Sequence, residues 1–202
     1  MTVRKPSDDR KAEILKATLD LAFQVGPDNV STGMISARIG LSQPAVYKHF
    51  PSKGDIWRAI GEKLSARIAK NVRVGVQGGL DPLDRLRNLI LKHFDLVVET
   101  PALPEIMITR DPTSALSEAQ RRIQAAMGEF RQAMTTEFEA AKNSGMLRTG
   151  LHTADGVTLL FGVIQSLLLR LIVTRDPTPL IQDGKRLLDL QLSLYTRQGE
   201  TS

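Results

Sequence analysis

The segment Thr32–Lys53, TGMISARIGLSQPAVYKHFPSK, constrains the fold most, because helix start and stop signals crowd into a short stretch. Thr32 predicts the N-cap of a helix that carries two isoleucines inward. Gly40 predicts its end, and Ser42 predicts the N-cap of a third helix with Pro44 in its first turn. Helices this short are marginal alone, so the segment must pack against longer neighbours.

The third helix has an apolar and a polar side. Val46 and Phe50, four residues apart, predict the buried side. The outward residues are Gln43, Ala45, Tyr47, Lys48 and His49. These side chains are rich in hydrogen-bond donors and suit a surface placed against DNA, although the same run alone fits an ordinary solvated face equally well. Pro51 closes the helix, and Ser52 with Asp55 predicts a capping box that opens the fourth helix.

Apolar residues at helical spacing predict helices along the rest of the chain. Ser7 predicts the cap of the first helix, and Gly26-Pro27 its end. Gly78-Gly79 predicts a break after the fourth helix. The sequence Thr-Arg-Asp-Pro-Thr, at 109–113 and again at 174–178, predicts a stop and a restart with Asp as the cap. No segment alternates with a period of two residues, so we expect an all-α fold of about nine helices, with a three-helix head and a helical bundle.

The composition excludes several classes of protein. The 202 residues are 42% hydrophobic and 24% charged, which is typical of a globular chain and not of a disordered one. Cysteine is absent, which excludes disulfides and thiolate metal sites. The net charge of +5 is compatible with a nucleic-acid partner without proving one. The longest apolar run, 167–173, contains Arg170 and is too short to span a bilayer, so we expect a cytoplasmic protein.

The sequence lacks the patterns that accompany common catalytic sites. The histidines His49, His93 and His152 lie far apart, and none has a carboxylate at metal-ligand spacing. No glycine-rich phosphate loop follows a strand, and no nucleophile elbow is present. We therefore expect no enzymatic activity, no cofactor and no metal.

The head resembles a known DNA-binding module. Thr32 with Ile35, Gly-Leu-Ser at 40–42, Ala-Val-Tyr at 45–47 and His-Phe-Pro-Ser-Lys at 49–53 are together similar to the helix-turn-helix of the TetR family of bacterial transcriptional regulators. The similarity runs from about residue 11 to residue 60. The remaining residues resemble the family only in length and helix layout. The resemblance implies a DNA-binding domain at 1–52 and a ligand-binding and dimerisation domain at 53–202. Gly33 and Ser36 depart from the usual pattern and leave the operator sequence open.

The second helix of a helix-turn-helix enters the major groove and reads base edges. Gln43 suits a bidentate contact with adenine, and Lys48 suits guanine or a phosphate. Pro44 and Ala45 suit thymine methyl groups, and hydroxyl or N–H donors nearby suit phosphates. The predicted DNA-binding residues are Thr32, Ser42, Gln43, Pro44, Ala45, Tyr47, Lys48, His49 and Lys53. The basic pair Arg4-Lys5 adds screened attraction to phosphates or is simply solvated.

The resemblance also implies an inducer cavity in the larger domain, which would suit an apolar ligand. The predicted lining residues are Phe94, Met107, Met127, Phe130, Met134, Phe161 and Gln165. The same stripe fits a plain bundle core. The last two helices are apolar on more than one side, which predicts an isologous homodimer. The predicted interface residues are Gly162, Ser166, Leu187, Leu190 and Leu194.

Two functions remain open at this stage. The first is a homodimeric repressor that a small apolar effector releases from a near-palindromic DNA operator. The second is a nucleoid-associated or cell-division regulator that keeps the DNA-binding head and binds a protein partner with its larger domain. A closed cavity in the larger domain favours the first, and an exposed apolar groove favours the second. Both predict a cytoplasmic protein that works at the nucleoid.

Overall fold

The computed structural model describes residues 7–77, 79–109 and 116–196, and within these ranges the chain forms nine helices and no strand. The helices are α1 (Ser7–Val25), α2 (Thr32–Arg38), α3 (Gln43–Tyr47), α4 (Lys53–Gly75), α5 (Pro82–Glu99), α6 (Leu103–Ile108), α7 (Ser117–Asn143), α8 (Thr153–Thr174) and α9 (Thr178–Ser193). The all-α prediction is confirmed. The basic pair Arg4-Lys5, the first glycine of the predicted break and most of the first Thr-Arg-Asp-Pro-Thr copy lie outside the described residues.

The helices pack into two compact units. Unit 1 contains the described residues up to Ala66 and those within Thr100–Ala125. Unit 2 contains those within Arg67–Glu99 and from Ala126 onward. The helices α4 and α7 each contain residues of both units. The predicted division at residue 52 concerns roles, not packing, and stays a prediction.

Unit 1 is built around apolar side chains from α1, α2, α3 and the first half of α4. Its buried residues include Ile14, Leu21, Ile35, Val46, Phe50, Trp57 and Ile60. The helices α4 and α7 approach closely here, because a Cβ at Gly61 would lie only 2.6 Å from Cα of Ala119. Gln120 links α7 to α6 by donating from Nε2 to the carbonyl oxygens of Ile106 at 2.8 Å and Thr109 at 2.6 Å.

Unit 2 joins α5, α8 and α9 to the later parts of α4 and α7. The Tyr195 hydroxyl donates to the carbonyl oxygen of Gly156 at 2.9 Å, and its ring meets Phe138 edge-on at 5.6 Å. Arg87 of α5 donates to both carboxylate oxygens of Asp189 in α9, at 2.6 and 3.2 Å. This hydrogen bonding by Arg87 is the main cause that lowers the pKa of Asp189 to about 2. The ion pair therefore fastens α9 to α5 at neutral pH.

The second copy of Thr-Arg-Asp-Pro-Thr makes the predicted stop and restart, with one correction. Arg175 has a left-handed φ of +56° and ends α8. The Asp176 side chain accepts the N–H of Thr178 at 2.9 Å. The N-cap of α9 is Pro177 and not Asp176, and the Asp176 carboxylate accepts the N–H of the first helical residue from one position before the cap.

The helix α8 is long and apolar enough to cross a membrane by length and composition alone, although the short apolar run in the sequence predicts no such helix. Only 33% of its most apolar window is buried within the chain. Its exposed apolar side chains lie on one face and include Leu159, Leu169 and Val173, which are 51%, 60% and 73% exposed. One such helix is also what a soluble protein shows when a helix face packs against another chain.

Candidate nucleic-acid interface

The turn between α2 and α3 is fixed by capping and by a glycine. Ser31, and not Thr32 as predicted, is the N-cap of α2: its backbone is extended, and its Oγ accepts the N–H of Met34 at 3.2 Å. Thr32 becomes the first helical residue because Ser31 already fills the capping position. Gly40 follows α2 with a left-handed φ of +65°, which glycine adopts without strain. The predicted stop at Gly40 is confirmed.

The helix α3 is a single turn that two buried side chains hold in place. It begins after Ser42, which is the N-cap as predicted, although within the described residues its side chain makes no capping hydrogen bond. Val46 and Phe50 are 0% and 7% exposed, which confirms the predicted buried side. Lys48 is the C-cap, so it and the next residue lie in the turn after the helix.

The outward side of α3 and of the following turn carries the predicted DNA-binding residues. Exposed are Ser42, Gln43, Pro44, Tyr47 and Lys48, and half-buried are Ala45 and His49. The hydroxyls of Thr32 and Tyr47 lie 3.1 Å apart and form a hydrogen bond in which either is the donor. This contact joins the start of α2 to the end of α3 and places two hydroxyl groups side by side on the exposed surface.

Gln43 lies against the start of α2. A Cβ at Gly33 would be 3.0 Å from Nε2 of Gln43 and 3.8 Å from its Cδ. The amide of Gln43 therefore occupies the space that a side chain at position 33 would fill. In the sequence, Gly33 is only a departure from the usual family pattern. This packing could not be predicted, since no sequence signal places residues ten positions apart on neighbouring helices in register.

The start of α4 is capped as predicted. The N–H of Asp55 donates to Ser52 Oγ at 3.2 Å, and the Ser52 hydroxyl donates to Asp55 Oδ2 at 2.7 Å. The hydrogen bond from Ser52, followed by the positive charge of Arg58 at 2.7 Å, lowers the pKa of Asp55. Lys53 is half-buried, and its Nζ donates to the carbonyl oxygen of Asp28 at 3.4 Å. The lysine is thus held beside the loop between α1 and α2.

The residues predicted to line a pocket have different surroundings. Buried in unit 2 are Phe94, Phe130 and Met134, and half-buried there are Met127 and Phe161. Met107 belongs to unit 1, and Gln165 is exposed on α8. Among the described residues no three His, Asp or Glu side chains lie close enough together to hold a metal ion.

His93 is the polar group within the aromatic cluster of unit 2. Its ring is buried and lies 4.8 Å from the ring of Phe130, which meets Phe161 edge-on at 6.3 Å. Burial lowers the pKa of His93 to about 4, so the ring is neutral at pH 7. Its Nε2 is buried and has no hydrogen-bond partner among the described residues. Such atoms are rare in folded proteins and often mark a place for a water or a ligand group.

An open groove of about 280 Å³ lies in unit 2 between the later part of α4 and α5. It is lined by Arg67, Asn71, Lys92, Asp95, Val98 and Glu99. Arg67 donates to both carboxylate oxygens of Glu99 at 3.1 and 3.2 Å, and Asn71 donates to the carbonyl oxygen of Lys92 at 3.1 Å. The lining is polar and carries both signs of charge.

The residues predicted for a dimer interface are accessible in the single chain. Exposed are Gly162, Ser166, Leu190 and Leu194, and half-buried is Leu187. Gly162 and Ser166 lie on the same face of α8 as the exposed leucines and valine described above. Two adjacent helices of unit 2 therefore expose apolar side chains.

The head matches a known family, and about three quarters of the chain align with a known relative. Residues 14–60, from α1 to the first turns of α4, match the family described as bacterial regulatory proteins, tetR family. The nucleoid occlusion factor SlmA of Edwardsiella ictaluri is 26% identical over 153 residues, which are 75% of this chain and 75% of that protein.

Solved structures share the fold over nearly the whole chain. The ketosteroid transcriptional regulator KstR2 of Mycobacterium tuberculosis has a TM-score of 0.77 at 19% identity, with 94% of this chain and 96% of that chain covered. SmeT of Stenotrophomonas maltophilia, in its triclosan complex, has a TM-score of 0.68 at 26% identity, with 95% and 93% covered.

Proposed function

We propose that this chain, a non-enzymatic DNA-binding regulator of the TetR family, is a homodimeric repressor that a small, mainly apolar effector releases from a near-palindromic operator. The observation that carries the proposal is the geometry of α3. Val46 and Phe50 anchor this single turn in the core of unit 1, while Gln43, Tyr47 and Lys48 stay exposed. A polar, donor-rich side presented by so short a helix fits the major groove.

The contacts divide into base readout and phosphate positioning. Gln43 reads adenine through its amide, and Lys48 reaches guanine or a phosphate. The neighbouring hydroxyls of Thr32 and Tyr47 donate to phosphate oxygens. Lys53 exchanges its 3.4 Å contact with a carbonyl oxygen for a phosphate. In the dimer, two such surfaces meet half-sites about 34 Å apart, one helical turn of DNA.

The test uses an operator selected from random DNA and measures affinity by fluorescence anisotropy over a series of salt concentrations. Lys48→Ala lowers the affinity, and it reduces the salt slope by about one if Lys48 contacts a phosphate. Tyr47→Ala also lowers the affinity. The matched control is Lys63→Ala, which removes an exposed lysine about 15 Å further along α4 from Lys53 and leaves binding unchanged. Unchanged affinity in both the Lys48 and Tyr47 variants would remove α3 from the interface.

The exposed apolar faces of α8 and α9 support the dimer. A helix as apolar as α8, with a third of its most apolar window buried, leaves a large apolar surface in water unless another chain covers it. The small residues Gly162 and Ser166 on this face allow helices to approach closely. A twofold interface uses the same surface of both copies, so the exposed apolar face of α8 and α9 is sufficient to form the dimer interface. Sedimentation equilibrium at micromolar concentration then gives twice the mass of one chain, and the mass of a single chain would contradict the dimer.

The buried aromatic cluster of unit 2 supports an effector with apolar bulk and one polar group. Phe130 and Phe161 supply the apolar wall, and Nε2 of His93 supplies a hydrogen-bonding atom without a partner among the described residues. SmeT, which shares the fold, was solved in complex with triclosan. The effector acts by binding the conformer with the wrong spacing of the two heads, and α4, which contains residues of both units, is the lever.

A second candidate function follows from the relatives. SlmA proteins are named nucleoid occlusion factors, which favours a larger domain that binds a protein partner while the head stays on DNA. Native mass spectrometry of the protein purified from its own host discriminates the two. A bound small molecule that dissociates the operator complex supports the repressor. A ternary complex of DNA, this chain and a second protein supports the alternative. Both functions place the protein at the nucleoid, in the cytoplasm.

A further inference from the structure

We propose that Gly33 sets the base preference of Gln43, by leaving the space into which the Gln43 amide folds. The inference rests on the proposed role of Gln43 in the major groove and adds a positioning residue to it. Gly33 makes no contact of its own through a side chain. Its effect on DNA recognition passes entirely through the neighbouring helix.

The backbone gives no reason for a glycine at this position. Gly33 is the second residue of α2, and its φ is not among the positive values found at Gly26, Gly40, Gly145 and Gly150. Glycine inside a helix lowers its stability by up to about 1 kcal/mol relative to alanine. An alanine here would therefore favour the helix, so the absence of a side chain has to be explained by the surroundings.

The surroundings provide that explanation. A Cβ at position 33 would lie 3.0 Å from Nε2 of Gln43, which is closer than the usual 3.5–4.0 Å separation of non-bonded heavy atoms. The next nearest atoms are Ser31 Oγ at 3.7 Å and Gln43 Cδ at 3.8 Å, both at ordinary contact distance. The crowding is thus confined to the amide of Gln43. Because that amide is the end of a flexible side chain, it moves and the helices stay in place.

The position of the amide decides what Gln43 can read. Gln43 begins α3, and the residues at the N-terminal end of a recognition helix reach base edges. A glutamine reads adenine only when its oxygen and nitrogen face the base edge together. The start of α2 blocks one side of the Gln43 side chain, and the hydrogen bond between Thr32 and Tyr47 holds α2 beside α3. The start of α2 therefore limits the space open to the amide before DNA binds, and the gap at Gly33 is part of the space that the amide uses.

The experiment compares the wild type, Gly33→Ala, Gln43→Ala and the double variant on operators with every half-site position varied. A good bidentate contact discriminates against the wrong base by roughly 5- to 150-fold. We expect Gln43→Ala to abolish the preference at one position of each half-site. We expect Gly33→Ala to weaken the preference at that same position at least about fivefold and to leave the others unchanged. In the Gln43→Ala background, the Gly33 substitution should have no further effect on base preference.

The controls separate positioning from folding. Gly128 lies in α7, and beyond its chain neighbours and the nearby helix backbone no described atom lies within 4 Å of its would-be Cβ, so Gly128→Ala should leave base preference unchanged. Gly33→Ala should melt at the same temperature as the wild type or higher. Wild-type preference in the Gly33 variant, or an effect that persists without Gln43, overturns the inference. Wild-type preference in the Gln43 variant instead overturns the proposed role of Gln43 in the groove.

Discussion

The buried imidazole of His93 makes the stability of this protein depend on pH in a window that can be worked out from its surroundings. Burial lowers the pKa of His93 from the ordinary 6.5 to about 4. Its Nε2 has no hydrogen-bond partner among the described residues, and its ring lies 4.8 Å from the ring of Phe130 at a tilt of 33°. Protonation would place a charge in this apolar cluster, so the folded state resists it. We predict that His93→Leu removes a large part of the acid sensitivity of folding.

The direction and the size of this pH dependence follow from proton binding to the folded and the unfolded chain. Between pH 6.5 and about 4 the unfolded chain carries a proton on His93 and the folded chain does not, so the free energy of unfolding falls as the pH falls. Above the pKa of the unfolded state, His93 is neutral in both states, and its contribution to the free energy of unfolding no longer changes with pH. One pKa unit is worth about 1.4 kcal/mol, so the full effect is roughly 3 kcal/mol, of which about 2 kcal/mol is lost by pH 5. For a chain of this length that loss lowers the melting temperature by about 4–8 °C.

The assay is urea unfolding followed by circular dichroism at pH 7 and pH 5. One fixed protein concentration is used, because the proposed dimerisation would make the stability depend on concentration. Between pH 7 and pH 5 the wild type loses stability through His93 and through all other titrating groups. The difference between the losses of the wild type and of His93→Leu gives the part that belongs to His93. His152→Gln is the matched control, since His152 is exposed before α8. It should keep the wild-type pH dependence. The reasoning is refuted if His93→Leu loses as much stability between pH 7 and pH 5 as the wild type.

Three further substitutions test the packing of unit 2 and the dimer. Arg85→Met leaves the buried carboxylate of Glu137 without its ion-pair partner at 2.7 Å and should lower the free energy of unfolding by about 3 kcal/mol. A double variant that also replaces Glu137 by Leu should recover most of the lost stability. Equal losses in the single and the double variant would contradict this prediction. Gly156→Ala would place a Cβ 2.1 Å from Cζ of Phe138 and should lower the free energy of unfolding, measured with urea, by about 3 kcal/mol or more. A wild-type midpoint of urea unfolding would refute the contact. Leu169→Glu, at a 60% exposed position, should leave the circular dichroism spectrum unchanged and give the mass of one chain in sedimentation equilibrium; a persistent dimer would place the interface elsewhere.

The sequence is sufficient for the elements whose signals are local. Gly40 and Pro44 act through their own backbone geometry, and the structure keeps the stop and the start they predict. The pair Ser52 and Asp55 forms its cap within one turn of helix, so the spacing alone predicts it. The buried side of α3 follows from two apolar residues four positions apart. Each of these features depends on residues that are neighbours in the chain.

The features that sequence reasoning missed depend on contacts between helices. The hydroxyl of Thr32, which the sequence predicts as the cap of α2, instead forms a hydrogen bond with the hydroxyl of Tyr47, fifteen residues away on α3. The Nε2 of His93, which has no hydrogen-bond partner within the described part of the chain, is likewise not predictable from sequence, because the packing around α5 decides whether a histidine on it is buried. Pattern rules place a residue on a helix face, but they do not say which atom of another helix it meets.

The shortness of α3 explains why its buried and exposed residues act together. Five residues cannot form a stable helix in water, since nucleation alone is unfavourable and few hydrogen bonds follow. Packing of Val46 and Phe50 in unit 1 must therefore supply the order that the helix lacks. The same packing fixes the direction of Gln43, Tyr47 and Lys48, because in a single turn the buried and the exposed side chains share one short stretch of backbone. Affinity for DNA then depends on the core of unit 1 as directly as on the polar surface, and a helix-turn-helix sequence pattern contains both kinds of residue for this physical reason.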